Sequence, residues 1–277
     1  MIALCKRRLP LVSGLLVVLL TSTACTVAPL SVTARQALLP ADVLLLGEQH
    51  DAPEHQQWQK DTVQWLAQRG QLAALVLEMA EQGRGTQGLA PDASEAAVQK
   101  ALFWSDATWP WADYGPVAMA AVRASVPVLG GNLPRKQTNA ATTDTTLDAQ
   151  LPAPAWQRQQ EAVRAGHCDL LPAKMVPGMV RVQIARDITL AQTAAAAHQP
   201  GKVVLMVAGA GHVQRSLGVP LHLPANLVTK VAIAQAGPAS PAIENEADWI
   251  HQTPALAPKD VCAALRQQWP AQGAAKP

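Results

Sequence analysis

Five short aliphatic runs constrain the fold most. They are Asp42–Leu46, Ala73–Met79, Val126–Leu129, Lys202–Val207 and Leu227–Ala234, and glycine stands beside the first four as Gly47, Gly70, Gly130 and Gly209. Runs this short, with no polar face, suit strands buried on both sides rather than strands with one wet face. Helical patterns lie between them: about 53–69, opened by Pro53 in the first turn, about 93–103, a stretch after Pro116, and about 154–165 and 174–197. Strand alternating with helix predicts an α/β domain, with a mainly parallel central sheet flanked by helices. Residues of about 135–200 show no clear strand and read as a helical insertion, or lid, between the third and fourth strands. The whole spans about 41–265, with 266–277 as a tail, and the Pro-rich stretch after Gly237 is expected to wrap the surface.

The N-terminus sets the compartment. Lys6, Arg7 and Arg8 precede a mostly apolar run, Leu9 to Leu20, and then small residues Ser22, Thr23 and Ala24. That order matches a secretory signal over residues 1–24, and the run is shorter than the ~20 residues a spanning helix needs. Cys25 directly follows, as in the lipobox of bacterial lipoproteins, although Ser22 stands where such a box usually carries leucine. The expectation is a chain lipidated at Cys25, tethered by residues up to about 40, and anchored at the cell envelope, on the outer membrane facing the periplasm. Losing three cations with the signal takes the formal charge from +2 to −1. Without a dense basic run, that balance excludes nucleic acid as a partner. Four cysteines fall to two free thiols once Cys5 is removed and Cys25 acylated. Cys168 and Cys262, in an oxidising compartment and without CxxC spacing, read as a disulfide. Closing a loop of about a hundred residues contributes up to about 4–5 kcal/mol in the chain-entropy model.

The polar residues concentrate where a parallel sheet offers a site, at the carboxyl ends of its strands. Gly47-Glu48-Gln49-His50 and Gly209-Ala210-Gly211-His212 are two Gly-x-x-His turns, Glu78 closes the second run, and Asn132 follows the third. Glycine there lets the chain turn sharply and approach a partner closely. One reading has the histidines merely capping the sheet; the other has them share a site. His50, Glu78 and His212 could hold a divalent metal, with Glu48 as general base, which would make a metal-dependent hydrolase. His50 and His55 stand five apart, poor spacing for two ligands on one helix face.

Aromatic usage is skewed, with eight Trp against one Tyr and one Phe. The stretch Trp109-Pro-Trp111-Ala-Asp-Tyr114 holds the lone tyrosine, whose phenolate is a known ligand of ferric haem, while flat indoles can pack a porphyrin. Core packing is the alternative for this cluster. Met175, Met179, Gln183 and Asp187 recur at helical spacing on the lid, a stripe that suits packing but can turn Gln and Asp toward the crevice. Arg135 could clamp a carboxylate or form a surface ion pair.

Taken together, several motifs resemble the ChaN-like haem-binding lipoproteins associated with iron uptake. They are Leu44-Leu-Leu-Gly-Glu-Gln-His-Asp51 with Pro53 and His55, Glu78-Met79, the Trp111/Tyr114 pair, and Gly130-Gly-Asn-Leu-Pro-Arg135. Gly166-His-Cys168, Gln183 with Arg186-Asp187, Val207-Ala-Gly-Ala-Gly-His212 and Gly218-Val-Pro complete the set. The resemblance runs from Asp42 to Cys262. It implies an α/β domain that binds two haems face to face across a homodimer, with tyrosine on iron and His and a basic residue on the propionates. Carried over, tyrosine ligation has to use Tyr114, cofactor contacts fall to His50 and His212, and Arg135 and His167 are the propionate candidates. The Gly-x-x-His turns also resemble a wider superfamily of erythromycin esterases and Tiki/TraB-type metalloproteases. That second resemblance implies hydrolysis through Glu48, His50, Glu78 and His212.

Overall fold

A computed structural model describes residues 31–268. The signal segment, Cys25 and the last nine residues lie outside the described residues. The elements run, in chain order, α1 (Val32–Leu38), β1 (Val43–Glu48), α2 (Pro53–Gln68), β2 (Leu72–Glu81), α3 (Glu95–Leu102), α4 (Trp111–Arg123) and β3 (Val128–Asn132). There follow α5 (Arg135–Thr143), α6 (Ala153–Gly166), α7 (Val176–Ala197), β4 (Val203–Gly209), α8 (Ala210–Val213), β5 (Thr229–Ala236), α9 (Pro241–Glu244), β6 (Trp249–Thr253) and α10 (Ala263–Gln268). Six strands form one sheet in the order β3-β2-β4-β1-β5-β6, and every pairing is parallel.

The aliphatic runs are strands because both of their faces are covered. On β1, Leu44 and Leu46 point to one face, with Trp58, Val63 and Leu66 of α2 and Val117 and Ala121 of α4. Val43 and Leu45 point to the other, with Leu190, Ala191 and Ala194 of α7 and Val213 of α8. The period of two carries straight on to the polar strand ends. None of the described helices is long and apolar enough to cross a membrane.

Four local expectations are corrected. α1 lies within the stretch read as a tether: Ser31 caps it through Ala34 N–H, and buried Ala34 and Leu38 join the core, so the domain starts before residue 41. α4 begins at Trp111 rather than after Pro116, because the Asp106 carboxylate accepts the Trp111 N–H at 2.7 Å. Its Pro116 forgoes one backbone bond inside the helix. α5 escapes periodicity because it buries only Ala141. The segment after Gly237 is not simply a surface wrap, for β6 pairs with β5 along Ala232–Ala236. An edge strand needs no continuous apolar run, and β6 is held by its ladder to β5 and by side chains such as His251, stacked on Trp58 at 4.5 Å. Helices α5, α6 and α7 follow one another along the chain between β3 and β4, as the helical insertion predicts. Cys168 after α6 is bonded to Cys262 beside α10, which ties the insertion to the C-terminal segment.

Candidate functional site

Strands β2, β4 and β1 are consecutive in the sheet, and their carboxyl ends carry the polar residues. Glu48 continues the row of Leu44 and Leu46, so it emerges toward α2 and α4. There it is 2 % exposed and takes four hydrogen bonds. Tyr114 O–H (2.7 Å) and His50 Nδ1 (2.8 Å) donate to Oε1; Gln56 Nε2 (2.9 Å) and Gln59 Nε2 (2.6 Å) donate to Oε2. A carboxylate so fully engaged orients its neighbours and has no lone pair left to act as a general base. Glu78 emerges on the opposite face, toward α7 and α8. Its Oε2 accepts the Gly209 N–H at 2.7 Å, and its Oε1 lies 3.5 Å from His212 Nε2. His212 Nδ1 is 2.6 Å from Asp187 Oδ1, so both ring nitrogens face carboxylates.

The two Gly-x-x-His turns interlock across adjacent strands, whose register sets Gly47 beside Ala208 and Glu48 beside Gly209. A methyl group on Gly47 would sit 2.4 Å from Val213 Cγ2, and one on Gly209 would sit 2.8 Å from His50 Nε2. Each glycine thus makes room for a side chain of the other turn.

Electrostatics follow from this packing. Burial alone would pull His212 down, but the charges of Glu78 and Asp187 push it up to about 9. Burial raises Asp187 to about 6 against the pull of His212. Burial likewise opposes ionisation of Glu78, yet the two histidines hold it below the usual carboxylate range. For His50 the loss from burial is outdone by its bond to Glu48 and the charge of Glu78, so it is raised. Tyr114 is driven far above the usual phenol range, first by burial and then by the charge of Glu48.

In front of these groups opens a cavity of about 810 Å³. His50, Glu78 and His212 stand at its base, Phe103, Trp104 and Trp109 form an aromatic wall, and Lys100, Arg135 and Arg186 supply three cations. The His50 ring lies 4.8 Å from Trp109, and Phe103 is 70 % exposed at the rim in a left-handed conformation. That conformation ends α3: Phe103 is its C-cap, and its N–H donates to the carbonyls of Gln99 and Lys100.

The sequence-derived candidates separate accordingly. His50, His212, Glu78 and Arg135 line one cavity. His167 does not; it ends α6 with Nδ1 2.6 Å from the Val163 carbonyl. Tyr114, the expected iron ligand, stands apart from that lining. It is 1 % exposed, lies outside the cavity lining behind Trp109, and spends its hydroxyl on Glu48. His55 is wholly buried and structural: its Nδ1 accepts the Gln49 N–H, and its Nε2 lies 3.0 Å from Thr253 Oγ1. Among the described residues, no group of three His, Cys, Asp or Glu side chains is arranged to hold a metal ion. In the divalent-metal reading of His50, Glu78 and His212, the Nδ1 of His212 is bonded to Asp187 and its Nε2 lies 3.5 Å from Glu78 Oε1. Of the stripe on α7, Gln183 lines the cavity and Asp187 braces His212, while Met179 packs against the insertion core and Met175 is exposed. Sequence reasoning left Arg186 without a role and missed Lys100. Arg186 was detectable as the residue three beyond Gln183 on one helix face; Lys100, on a polar stretch of α3, gave no signal.

A family model described as haem-binding uptake, Tiki superfamily, ChaN matches residues 34–223. The chain belongs to the ChaN family. The ChaN fold is seen independently in a solved structure described as "Cofacial heme binding to ChaN of Campylobacter jejuni". The two chains are 22 % identical, with a TM-score of 0.62 over 78 % of this chain and 88 % of that one. No curated protein sequence matches this one. The family match covers β1 through β4 and both Gly-x-x-His turns, and so includes every strand end that builds this cavity.

Proposed function

We propose that this protein binds haem in the strand-end cavity and serves haem or iron uptake at the cell envelope. The observation that carries the reading is the make-up of the 810 Å³ cavity: an aromatic wall, three cations and an accessible imidazole around one opening. A porphyrin needs flat apolar surface for its ring, positive charge for two propionates and a donor for its iron. Phe103, Trp104 and Trp109 suit the first requirement, and Lys100, Arg135 and Arg186 suit the second. When bound, haem supplies an iron centre that is itself the cargo. The residues of the chain orient the ring, neutralise its carboxylates and keep part of it from water.

The same reading places the protein on the membrane through acylated Cys25, facing the periplasm, where the Cys168–Cys262 disulfide suits an oxidising compartment. It also makes the haem-loaded form a homodimer. The relative from Campylobacter jejuni is described as binding haem cofacially, and here the exposed Phe103 extends the aromatic wall outward from the cavity rim. Titration of the purified protein with haemin should give a saturable Soret band at one haem per chain. Arg186→Ala together with Arg135→Ala should weaken binding while leaving the fold intact by circular dichroism. A protein that leaves the haemin spectrum unchanged would refute the proposal.

A further inference from the structure

We infer that the amino-terminal edge of the sheet, opposite the cavity, is a docking surface for anionic phospholipid headgroups, centred on Arg35, Trp65 and Arg69. This rests on the anchor at Cys25 proposed above, and it sets which way the cavity faces. Helix α2 runs back from the carboxyl end of β1 to the amino end of β2, so Arg69, just past its last residue, lies at that edge. Arg35 of α1 joins it there: the guanidiniums of Arg35 and Arg69 lie 5.5 Å and 4.5 Å from the ring of the half-buried Trp65. The exposed Arg123 ends α4 ahead of β3, and the exposed Lys202 immediately precedes β4, so cations follow one another along the edge. The strands they adjoin, β3-β2-β4-β1, are about 4.8 Å apart, a row of about 15 Å.

These cations are available to a ligand. Among the described residues, none of the four takes part in an ion pair. Arg35 and Arg69 make only long bonds, at 3.5 Å, to the carbonyls of Ser31 and Trp65, which leaves their planar forks open to phosphate oxygens. The carboxylates near them are engaged elsewhere. Asp42 accepts the Val228 N–H at 2.8 Å and faces His198 at 3.3 Å, and Asp61, two turns back on α2, accepts from Gln57. Asp248 and the exposed Glu244 lie beyond β5, where Asp248 meets Arg215 and Lys230. Exposed Val32, one turn before Arg35, and exposed Val228, just ahead of β5, add apolar surface, and tryptophan suits the headgroup level. Only six residues separate Cys25 from Ser31, a reach of at most about 20 Å, so an acyl chain at Cys25 holds α1 close to the bilayer. A tether alone leaves the domain free to turn, whereas each arginine or lysine near an anionic surface adds roughly fivefold to partitioning. Docked by this edge, the domain opens its cavity on the aqueous side, about 20 Å further along the strands.

Amide hydrogen exchange of the protein purified from the envelope, on phosphatidylethanolamine vesicles with and without phosphatidylglycerol, tests the surface. Peptides covering α1 and residues 64–71 should exchange several-fold more slowly on the anionic vesicles, while residues 100–109 at the cavity exchange alike on both. The difference should vanish in about 0.5 M salt, where the Debye length is below about 5 Å. Arg35→Gln with Arg69→Gln should abolish the protection. Because those arginines also clip α1 to α2, a second variant, Arg123→Gln with Lys202→Gln, should reduce it while exchange without vesicles stays unchanged. Lys174→Gln, at the start of α7 and so toward the opposite edge, should have no effect. Chain mass and flotation with the vesicles report the anchor separately. Equal exchange on the two vesicles, with the protein floating on both, would overturn the inference, and an acylated mass would then leave the anchor standing. An unacylated chain that floats only with anionic vesicles, and is released by salt, would keep the surface and end the anchor. An unacylated chain that floats with neither would end both.

Discussion

Replacing Tyr114 with Phe tests how the site is braced, apart from any ligand. The ring would stay in place between Trp104 and Trp109, so packing is conserved and only the hydroxyl is lost. That hydroxyl donates at 2.7 Å to a carboxylate that is itself 2 % exposed. A hydrogen bond to a charged group contributes about 1.5–3 kcal/mol. Glu48 would keep His50 on the same oxygen and two glutamines on the other, so the carboxylate is not left orphaned, and the loss should fall near the lower half, about 2 kcal/mol. For a domain of this size that corresponds to roughly 4–8 °C in Tm. Urea unfolding followed by circular dichroism should show a lower midpoint with the slope unchanged, since the surface exposed on unfolding is the same. A change below about 0.5 kcal/mol would refute the reasoning, because it would mean that the hydroxyl is not buried against the carboxylate at all.

Other consequences follow from the same contacts. Gly47→Ala drives a methyl to 2.4 Å from Val213 Cγ2, with the backbone of Ala210 at 3.2 Å, and should cost about 1–3 kcal/mol by urea unfolding. His212 is raised from 6.5 to about 9 in the folded state, so its stabilisation is fully present below pH 6.5 and is lost as pH rises through about 9. The urea midpoint should therefore fall between those values, and His212→Gln should flatten the decline; the window of Asp187, from 3.8 to about 6, lies below it. Reducing Cys168–Cys262, which spans 94 residues, should lower stability by up to about 4–5 kcal/mol, read as a drop in Tm with dithiothreitol. Cys25→Ser should move the protein from the membrane to the soluble fraction in a cell-fractionation assay.

Local residue pattern was enough to specify the sheet and the end of it that matters. Runs such as Val43–Leu46 and Val203–Val207 are apolar on both faces, and only a covered parallel strand satisfies them, so fold class and the strand-end positions of His50, Glu78 and His212 could be read locally. The cysteine pair was legible because cysteine arithmetic, with an oxidising compartment expected from the N-terminal pattern, left it few partners. β6 and α5 were not legible, since an edge strand and a polar helix need little apolar patterning to be held by their neighbours. Nor could the sequence say which way Tyr114 faces. Asp106 starts α4 at Trp111, and the packing of that helix against α2 turns the phenol inward to Glu48, while the interlocked turns leave His50 looking out. Strand content depends on neighbours along the chain. The choice between a buried phenol and an open imidazole depends on residues 48, 109, 114 and 209 meeting in space, and only the tertiary structure brings them together.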